Sequence, residues 1–356
     1  MGKLLVLSLF ILVLAVFIGE RYVKLKHLSL ATREVNRKDL PNCRPLQGID
    51  YGAEDITVLK DGLAFLSTGL KYPGLPSYSD DPGKIYTVDL LEPGLNPVEL
   101  RIDGEFDRSS FNPHGISVYT DKKDGSIYLF VVNHPEYKSQ IEIFKFHEQE
   151  NAIVHKKTIK HDLLHSVNDI VAVGTESFYA TNDHYFSNDM LKLAETLLTL
   201  PWCNVVYYSP EEVKVVAQGF YSANGINISP DKRHIYVSDI LYHKIVVMEI
   251  GESSTLTHVK EVGVGSLCDN IEVDYETGDL WLGCHPNAAK FMAGDPKDPP
   301  GSEVIRIQNI HSEKPAVTQV YADDGRVIIG SSVAAPYGGK LLIGSVYHKA
   351  LCCDLK

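Results

Sequence analysis

Apolar and polar residues alternate along most of this chain with the two-residue period of half-buried strands. The clearest stretch is 166–184, SVNDIVAVGTESFYATNDH. The polar pair Asn168-Asp169 opens it, and the apolar positions Ile170 and Ala172 follow. After a Gly-containing turn comes a second apolar run, Phe178-Tyr179-Ala180, and Asn182-Asp183-His184 closes the pair. The same layout returns as AEDITVLKDGLAFLS, NPHGISVYTDKKDGSIYLFVVNH, ANGINISPDKRHIYVSD and CDNIEVDYETGDLWLGCH, and in a weaker form as GSSVAAPYGGKLLIGSVY. The opening residues are Glu54, His114, Asn168, Asn224, Asp269 and Ser331, spaced 45 to 62 residues apart. Such a period predicts radial repetition of a four-stranded unit, an all-β six-bladed propeller over residues 41–356. Equivalent openings then converge on the central channel. A closed ring needs residues before Glu54 to add a strand to the last blade, beside LLIGSVYHKALCC.

Three stretches break the alternation. Residues 1–18 are almost purely apolar from Leu4 to Ile18, which predicts a retained hydrophobic signal or anchor segment. Residues 19–40 place Arg21, Leu25, Leu28, Thr32 and Val35 on one face, predicting an amphipathic helix on a lipid surface that stops before Pro41. Residues 187–200 carry Met190, Leu191, Ala194, Leu197 and Leu198 at helical spacing, after Asn188 or Asp189 as N-cap and before Pro201. This predicts a helical lid outside the propeller. The Pro/Gly-rich stretch 68–83 reads as a loop covering a site.

Charge narrows the function classes. Lys plus Arg is 34 against 46 for Asp plus Glu, a net charge of -12, and no basic stripe appears beyond the N-terminal segment. Nucleic acid is therefore not an expected partner. No GxSxG, Rossmann glycine pattern or P-loop is present. The six cysteines form no CxxC, and Cys43 has Cys352 or Cys353 as a long-range partner. Those two point to opposite faces of a strand, so only one can serve. The sequon at Asn227 lies inside an expected strand and is read as unused. His147, His155, His161 and His165 are expected to be solvated.

The converging residues suit a hard cation. Glu54, Asn168, Asn224, Asp269 and Asn270 offer two carboxylates and three amide carbonyls, the oxygen donors that calcium takes in flexible geometry. Asp55 and Asp169, with the carbonyl of Ile116, are candidates for a second, structural ion. His114 and His134 open and close one hairpin and are candidates for a proton-transferring pair. Asp183 and His184 are possible supports, and His285 is read as lining the pocket. Glu54 or Asp269 is the alternative water-activating group.

FNPHGIS, VVNHP, NDIVAVG, TNDHYF, ANGINISPD, ETGDLW, GCHPN and SEVIRIQNI resemble, in order and over nearly the whole chain, segments of the serum paraoxonase family of lactonases and aryl esterases. The resemblance implies a six-bladed propeller with two calcium ions. Glu54, Asn168, Asn224, Asp269 and Asn270 match its catalytic ion's ligands, and Asp55, Ile116 and Asp169 the structural ion's. His114 and His134 match its histidine dyad. Cys43 and Cys353 match its disulfide and Cys284 its free thiol, with Cys203, Cys268 and Cys352 as departures. Tyr72, with Leu70 and Lys71, falls in its mobile loop. Tyr221, Ser222, Ile240, Met292, Ser332 and Val346 fall at its pocket wall. It further implies calcium-dependent hydrolysis of lipophilic lactones and aryl esters, with promiscuous phosphotriester cleavage, in a secreted protein held on a lipoprotein or membrane surface as a monomer or weak homo-oligomer. A gluconolactonase-like sugar-lactone hydrolase and a calcium-stabilised, non-catalytic binding propeller are the alternatives.

Overall fold

In the computed structural model, which describes residues 2–28, 32–72, 79–295 and 297–355, six antiparallel sheets follow one another around an axis. Each inner strand packs beside the inner strand of the next sheet. The inner strands are Asp55–Val58, Pro113–Thr120, Val167–Ala172, Ala223–Ile228, Leu267–Val273 and Ser331–Tyr337. They define blades one to six. Blade two has a fifth strand, Arg101–Asp103, paired parallel to the outer strand Ala152–Ile159. The even four-strand repeat read from the sequence did not anticipate it.

The ring closes as the spacing required. Arg44–Pro45 pairs antiparallel with Leu351–Asp354, in register Arg44 to Cys352 and Pro45 to Leu351. A Cys43–Cys353 disulfide locks this junction across 310 residues. Cys352 is a free, buried thiol packed among Leu46, Ile56 and Leu342 on the other face of its strand. Replacing Cys43 and Cys353 with Ala is expected to destabilise the chain by about 3–5 kcal/mol, since the bridge closes so long a loop. A denaturant midpoint that stays unchanged would remove that role.

Packing between blades depends on small residues beside the polar openings. Gly115 follows His114, and a side chain there would collide with Asp169; Gly225 follows Asn224, and a side chain there would collide with Asn270. Absence of a Cβ lets neighbouring inner strands approach closely at the channel. The Asn227 amide donates to Ile271 O at 2.7 Å across this seam, so the sequon is taken up by the fold.

The N-terminal segment differs from the expectation in one respect. A single helix, α1, runs from Gly2 to Leu28. It is long and apolar enough to cross a membrane by length and composition. The amphipathic helix expected over 19–40 therefore ends early. Thr32 and Lys38 instead form bridges to Asn287 and Ala322 of blade five. Arg33 pairs with buried Glu303 at 2.5 Å, and Val35 is buried. These tertiary partners outweigh the weak helical preference of the stretch. The second helix, α2, spans Asp189–Leu197, with the Asn188 side chain accepting from the Met190 and Leu191 amides. Arg21 of α1 donates to Leu198 O and Thr199 O, at 2.7 and 2.8 Å, just past the C-terminal end of α2. The loop read over 68–83 lies partly outside the described residues.

Candidate functional site

The inner-strand starts of blades one, three, four and five carry buried oxygens that accept no hydrogen bond: Glu54 Oε2, Asn168 Oδ1, Asn224 Oδ1 and Asn270 Oδ1. An unpartnered buried oxygen is costly. Four such oxygens fall on residues singled out from the sequence, and they are the type of donor a hard cation takes. Asn270 turns its amide nitrogen away, donating to Glu54 Oε1 at 2.9 Å and so fixing its carbonyl oxygen in place. Asp269 Oδ2 lies 3.0 Å from His285 Nε2. Ser332 donates to the Glu54 carbonyl at 2.6 Å. Among the described residues, no group of three or more His, Cys, Asp or Glu side chains is arranged to hold a metal. The unpartnered set is mainly amide carbonyls.

Asp55 and Asp169 form a second buried pair. Asp55 accepts from the Ile56 amide at 2.9 Å and the Ile116 amide at 2.8 Å. Asp169 repeats the pattern with Ile170 and Ile226, each at 2.7 Å. Each aspartate thus staples its own strand to the next blade, through the Ile116 amide in the first case. Burial and the Glu54 charge push the Asp55 carboxyl up to about 8; burial and the Asp55 charge push Asp169 well above the carboxylate range. Two buried acids that raise one another resist ionising together without a compensating cation.

His114 and His134 lie in contact, Nδ1 to Nε2 at 3.0 Å, and both are buried. The other nitrogen of His114 faces Glu54 Oε1 at 3.6 Å. Burial opposes a charge on His114, but the Glu54 carboxylate outweighs it and raises the imidazole. Burial, with the His114 charge, drops His134 to about 3. The pair therefore has one basic and one neutral member.

Tyr72 covers this pair edge-on, its ring 6.0 Å from His114 and 6.2 Å from His134. Its hydroxyl donates to Asp183 Oδ2 at 3.2 Å. Asp183 also accepts from Ser166 and from His184, at 2.7 and 2.9 Å. Burial alone would raise Asp183, yet the charges and hydrogen bonds around it hold it below the usual range. Asp183 thus reaches the dyad through Tyr72. Asn112, just before His114, clamps the loop: it accepts from the Lys71 amide at 2.7 Å and donates to Lys71 O at 2.8 Å.

The wall is apolar on one side. Leu70, Val346 and Tyr347 are buried together, with Phe291 and Ile329 against them. Phe291 stacks on His285, centroids 4.0 Å apart. The sequence reading named Met292 instead, which is exposed. The short helix Ala288–Ala293, capped by Asn287, turns Phe291 inward. Tyr221 stacks on Tyr242 at 4.3 Å, beside Ile240 at the start of the same single turn. Ser222 is buried and donates to Asp183 O at 3.2 Å. Lys192 of α2 lies 5.7 Å from the Tyr72 ring centre and shares a cavity of about 1140 Å³ with His134.

Two sequence expectations are corrected. Cys284 is not a free thiol: it is bonded to Cys268, its direct cross-strand partner. The free thiols are Cys203 and Cys352, both buried. Nor are all the outlying histidines solvated. His155 is held 2.9 Å from the fully buried Glu142 carboxylate, and His165 has a buried ring nitrogen.

Comparison with known proteins places the whole chain. A family model described as Arylesterase matches residues 34–355. "Serum paraoxonase/arylesterase 2" of Bos taurus is 58% identical over 356 residues, covering 100% of both chains. "Serum paraoxonase/lactonase 3" of Homo sapiens is 51% identical over 356 residues, again covering 100% of both. Among solved structures, a luciferin-regenerating enzyme superposes with a TM-score of 0.53 at 10% identity, covering 88% of this chain and 95% of that one, a likeness of fold alone.

Proposed function

Since the chain belongs to the arylesterase family and is a hydrolase, we propose that it opens lipophilic lactones and cleaves aryl esters, with two bound calcium ions and a histidine dyad. Four unpartnered buried oxygens beside a buried histidine pair carry this reading. Glu54, Asn168, Asn224, Asp269 and Asn270 would hold the catalytic calcium. Asp55 and Asp169, with the carbonyl of Ile116, would hold the structural one. The catalytic ion supplies Lewis acidity toward a carbonyl or phosphoryl oxygen.

The chain's own residues do the rest. His114, with its free nitrogen turned toward the cage, removes a proton from the attacking water. His134, buried and neutral, steadies the proton on the far side of the ring. Tyr72 shields both rings from bulk water and is itself tied down by Asp183. His285 orients Asp269. Leu70, Phe291, Val346 and Tyr347 take the apolar part of the substrate. That wall favours a lipophilic lactone over a sugar lactone. Promiscuous phosphotriester cleavage belongs to the same proposal. So does the placement of the protein outside the cell on a lipid surface, held through α1 and with α2 as a lid: Leu4–Ile18 is apolar and exposed, as are Met190 and Leu193.

The direct test is a panel of lipophilic lactones, aryl esters, phosphotriesters and sugar lactones, assayed in detergent with and without chelator. Hydrolysis of the first two, lost on chelation, is the expected result. Turnover of sugar lactones alone, or none at all, would overturn the reading.

Asp55 also sets a pH dependence. Its folded carboxyl titrates at about 8 against 3.8 for the free side chain. Between those values the metal-stripped folded state holds a proton that the unfolded state has lost. Stability of the stripped protein is therefore expected to be full below about pH 4 with respect to this group, and to fall as pH rises toward 8, by up to about 1.4 kcal/mol per unit per proton. Calcium should abolish the slope. Melting curves of stripped and loaded protein from pH 5 to 8 check this, and parallel curves would contradict it.

A further inference from the structure

The polar openings of blades two to five share one local geometry. In each, two residues of the inner strand face a single residue of its neighbour, which is a β-bulge. The bulged pairs are His114-Gly115, Asn168-Asp169, Asn224-Gly225 and Asp269-Asn270. The ladder resumes its register just beyond each of them. A bulge re-aims the side chains it carries, and these four carry most of the site.

Every bulge is pinned at its start by the residue across the ladder. In blades two, three and four that residue is Asn133, Asn182 or Asp239. Its Oδ1 accepts a backbone amide from just ahead of the bulge: Asn112 at 2.9 Å, Ser166 at 3.1 Å and Ser222 at 3.1 Å. Blade five has Cys284 in this place. It has no side-chain oxygen and is bonded instead to Cys268, its partner across the ladder. The residue opposite the bulge offers no substitute. In blade three Thr181 Oγ1 accepts the Asp169 amide at 3.2 Å. The blade-five counterpart is Gly283, where a Cβ would collide with the backbone of Ser332 and Val333. The bridge is buried and held from both sides. Ser238 of blade four donates to Cys268 O, and Ser331 of blade six donates to Cys284 O at 3.1 Å. The next residues along the two strands are Asp269 and His285, themselves 3.0 Å apart.

We propose that Cys268 and Cys284 are positioning residues for the cage. Their disulfide locks the bulge that aims Asp269 and Asn270 at the catalytic ion, a covalent replacement for the hydrogen-bonded lock of blades two to four. The inference rests on the cage reading above. Asn270 spreads the effect, because its amide donates to Glu54 Oε1 at 2.9 Å and so ties a ligand of blade one to the same bulge. The two ions should respond differently. Asp269 and Asn270 belong to the catalytic set, whereas Asp55, Asp169 and Ile116 draw nothing from blade five. Loss of the lock therefore weakens one ion and spares the other. General loosening of the fold would weaken both.

Calorimetric titration of the full chain reads this difference. Cys268→Ala/Cys284→Ala should weaken the lower-affinity calcium site about 10- to 100-fold, the range for groups that orient ligands, and leave the tighter site within a factor of two. Amide exchange of the metal-free protein is the second readout. It should quicken in peptides covering 267–273 and stay unchanged in those covering 167–172. Cys268→Val/Cys284→Asn installs the pair that blade three uses at Val167 and Asn182. It should return both readouts toward wild type with no disulfide present. If the first variant does not fold, this second one decides, with wild-type affinity at both sites expected. Equal loss at both sites, unchanged affinity and exchange in the first variant, or no recovery in the second would overturn the inference. A wild-type chain that binds no calcium would overturn the cage reading itself, and unchanged exchange over 267–273 would then dispose of the lock as well.

Discussion

Replacing His114 with Gln lowers kcat/KM for a lipophilic lactone by about 10²- to 10⁴-fold, the usual contribution of a positioned proton-transfer group. Gln fills a similar volume and can still meet His134, so the channel wall and the Tyr72 cover should survive. What disappears is the ring nitrogen that faces Glu54 across 3.6 Å. The cage oxygens are untouched by the change, so calcium retention should stay at the wild-type level. The competing assignment gives water activation to Glu54 or Asp269. It expects lactone turnover to survive in this variant. A phosphotriester measured in parallel separates the cases: a fall for the lactone alone confines the dyad to acyl chemistry. Wild-type rates on both substrates would make the dyad assignment wrong.

The second large effect belongs to the cage. Asp269→Asn keeps the shape and removes one of only two carboxylates among five proposed ligands. Calcium affinity depends on ligand charge as well as number. Changes one shell further out already cost 10- to 100-fold, so a ligand carboxylate should cost at least about 100-fold in affinity, with hydrolysis at low calcium lost in step. The Asn amide can still meet His285 across the 3.0 Å contact, so the loss reads the missing charge rather than a lost orienting partner. Excess calcium should recover part of the activity. A variant that binds calcium as tightly as wild type would remove Asp269 from the ligand set.

Much of the fold was legible because it rests on short-range pattern. Alternation located the strands, and recurring polar openings located the inner rim. Ring closure then required a strand before Glu54, which Arg44–Pro45 supplies. The features that escaped depend on where distant segments meet. Cys268 and Cys284 are cross-strand partners only because the ladder shifts register between Cys268 and Ile271, and no spacing rule announces such a bulge. Residues 32–40 have a plausible helical face, but Arg33 and Val35 found partners on blade five. Phe291 rather than Met292 faces the pocket because a six-residue helix happens to cap at Asn287. Asn112 carried no signal in the alternation, yet it holds Lys71 beside the dyad by two hydrogen bonds. Lys192 gave no sequence signal apart from its place on α2.

The site reading was strongest where chemistry, not geometry, carried it. Amide and carboxylate oxygens in recurring positions pointed to a hard cation, and four of those oxygens are left without hydrogen-bond partners. The weaker part concerned supporting roles. Asp183 was expected to assist the histidines from the next blade; it holds the Tyr72 hydroxyl against them, and its charge acts on both rings.

Calorimetric titration of calcium into the metal-stripped full chain, with lactone hydrolysis followed at each addition, addresses the cage most directly. Two ions per chain should bind, the tighter restoring thermal stability and the weaker restoring turnover. Unimpaired hydrolysis in the stripped protein, or no calcium binding at all, would contradict a reaction centre built on these oxygens.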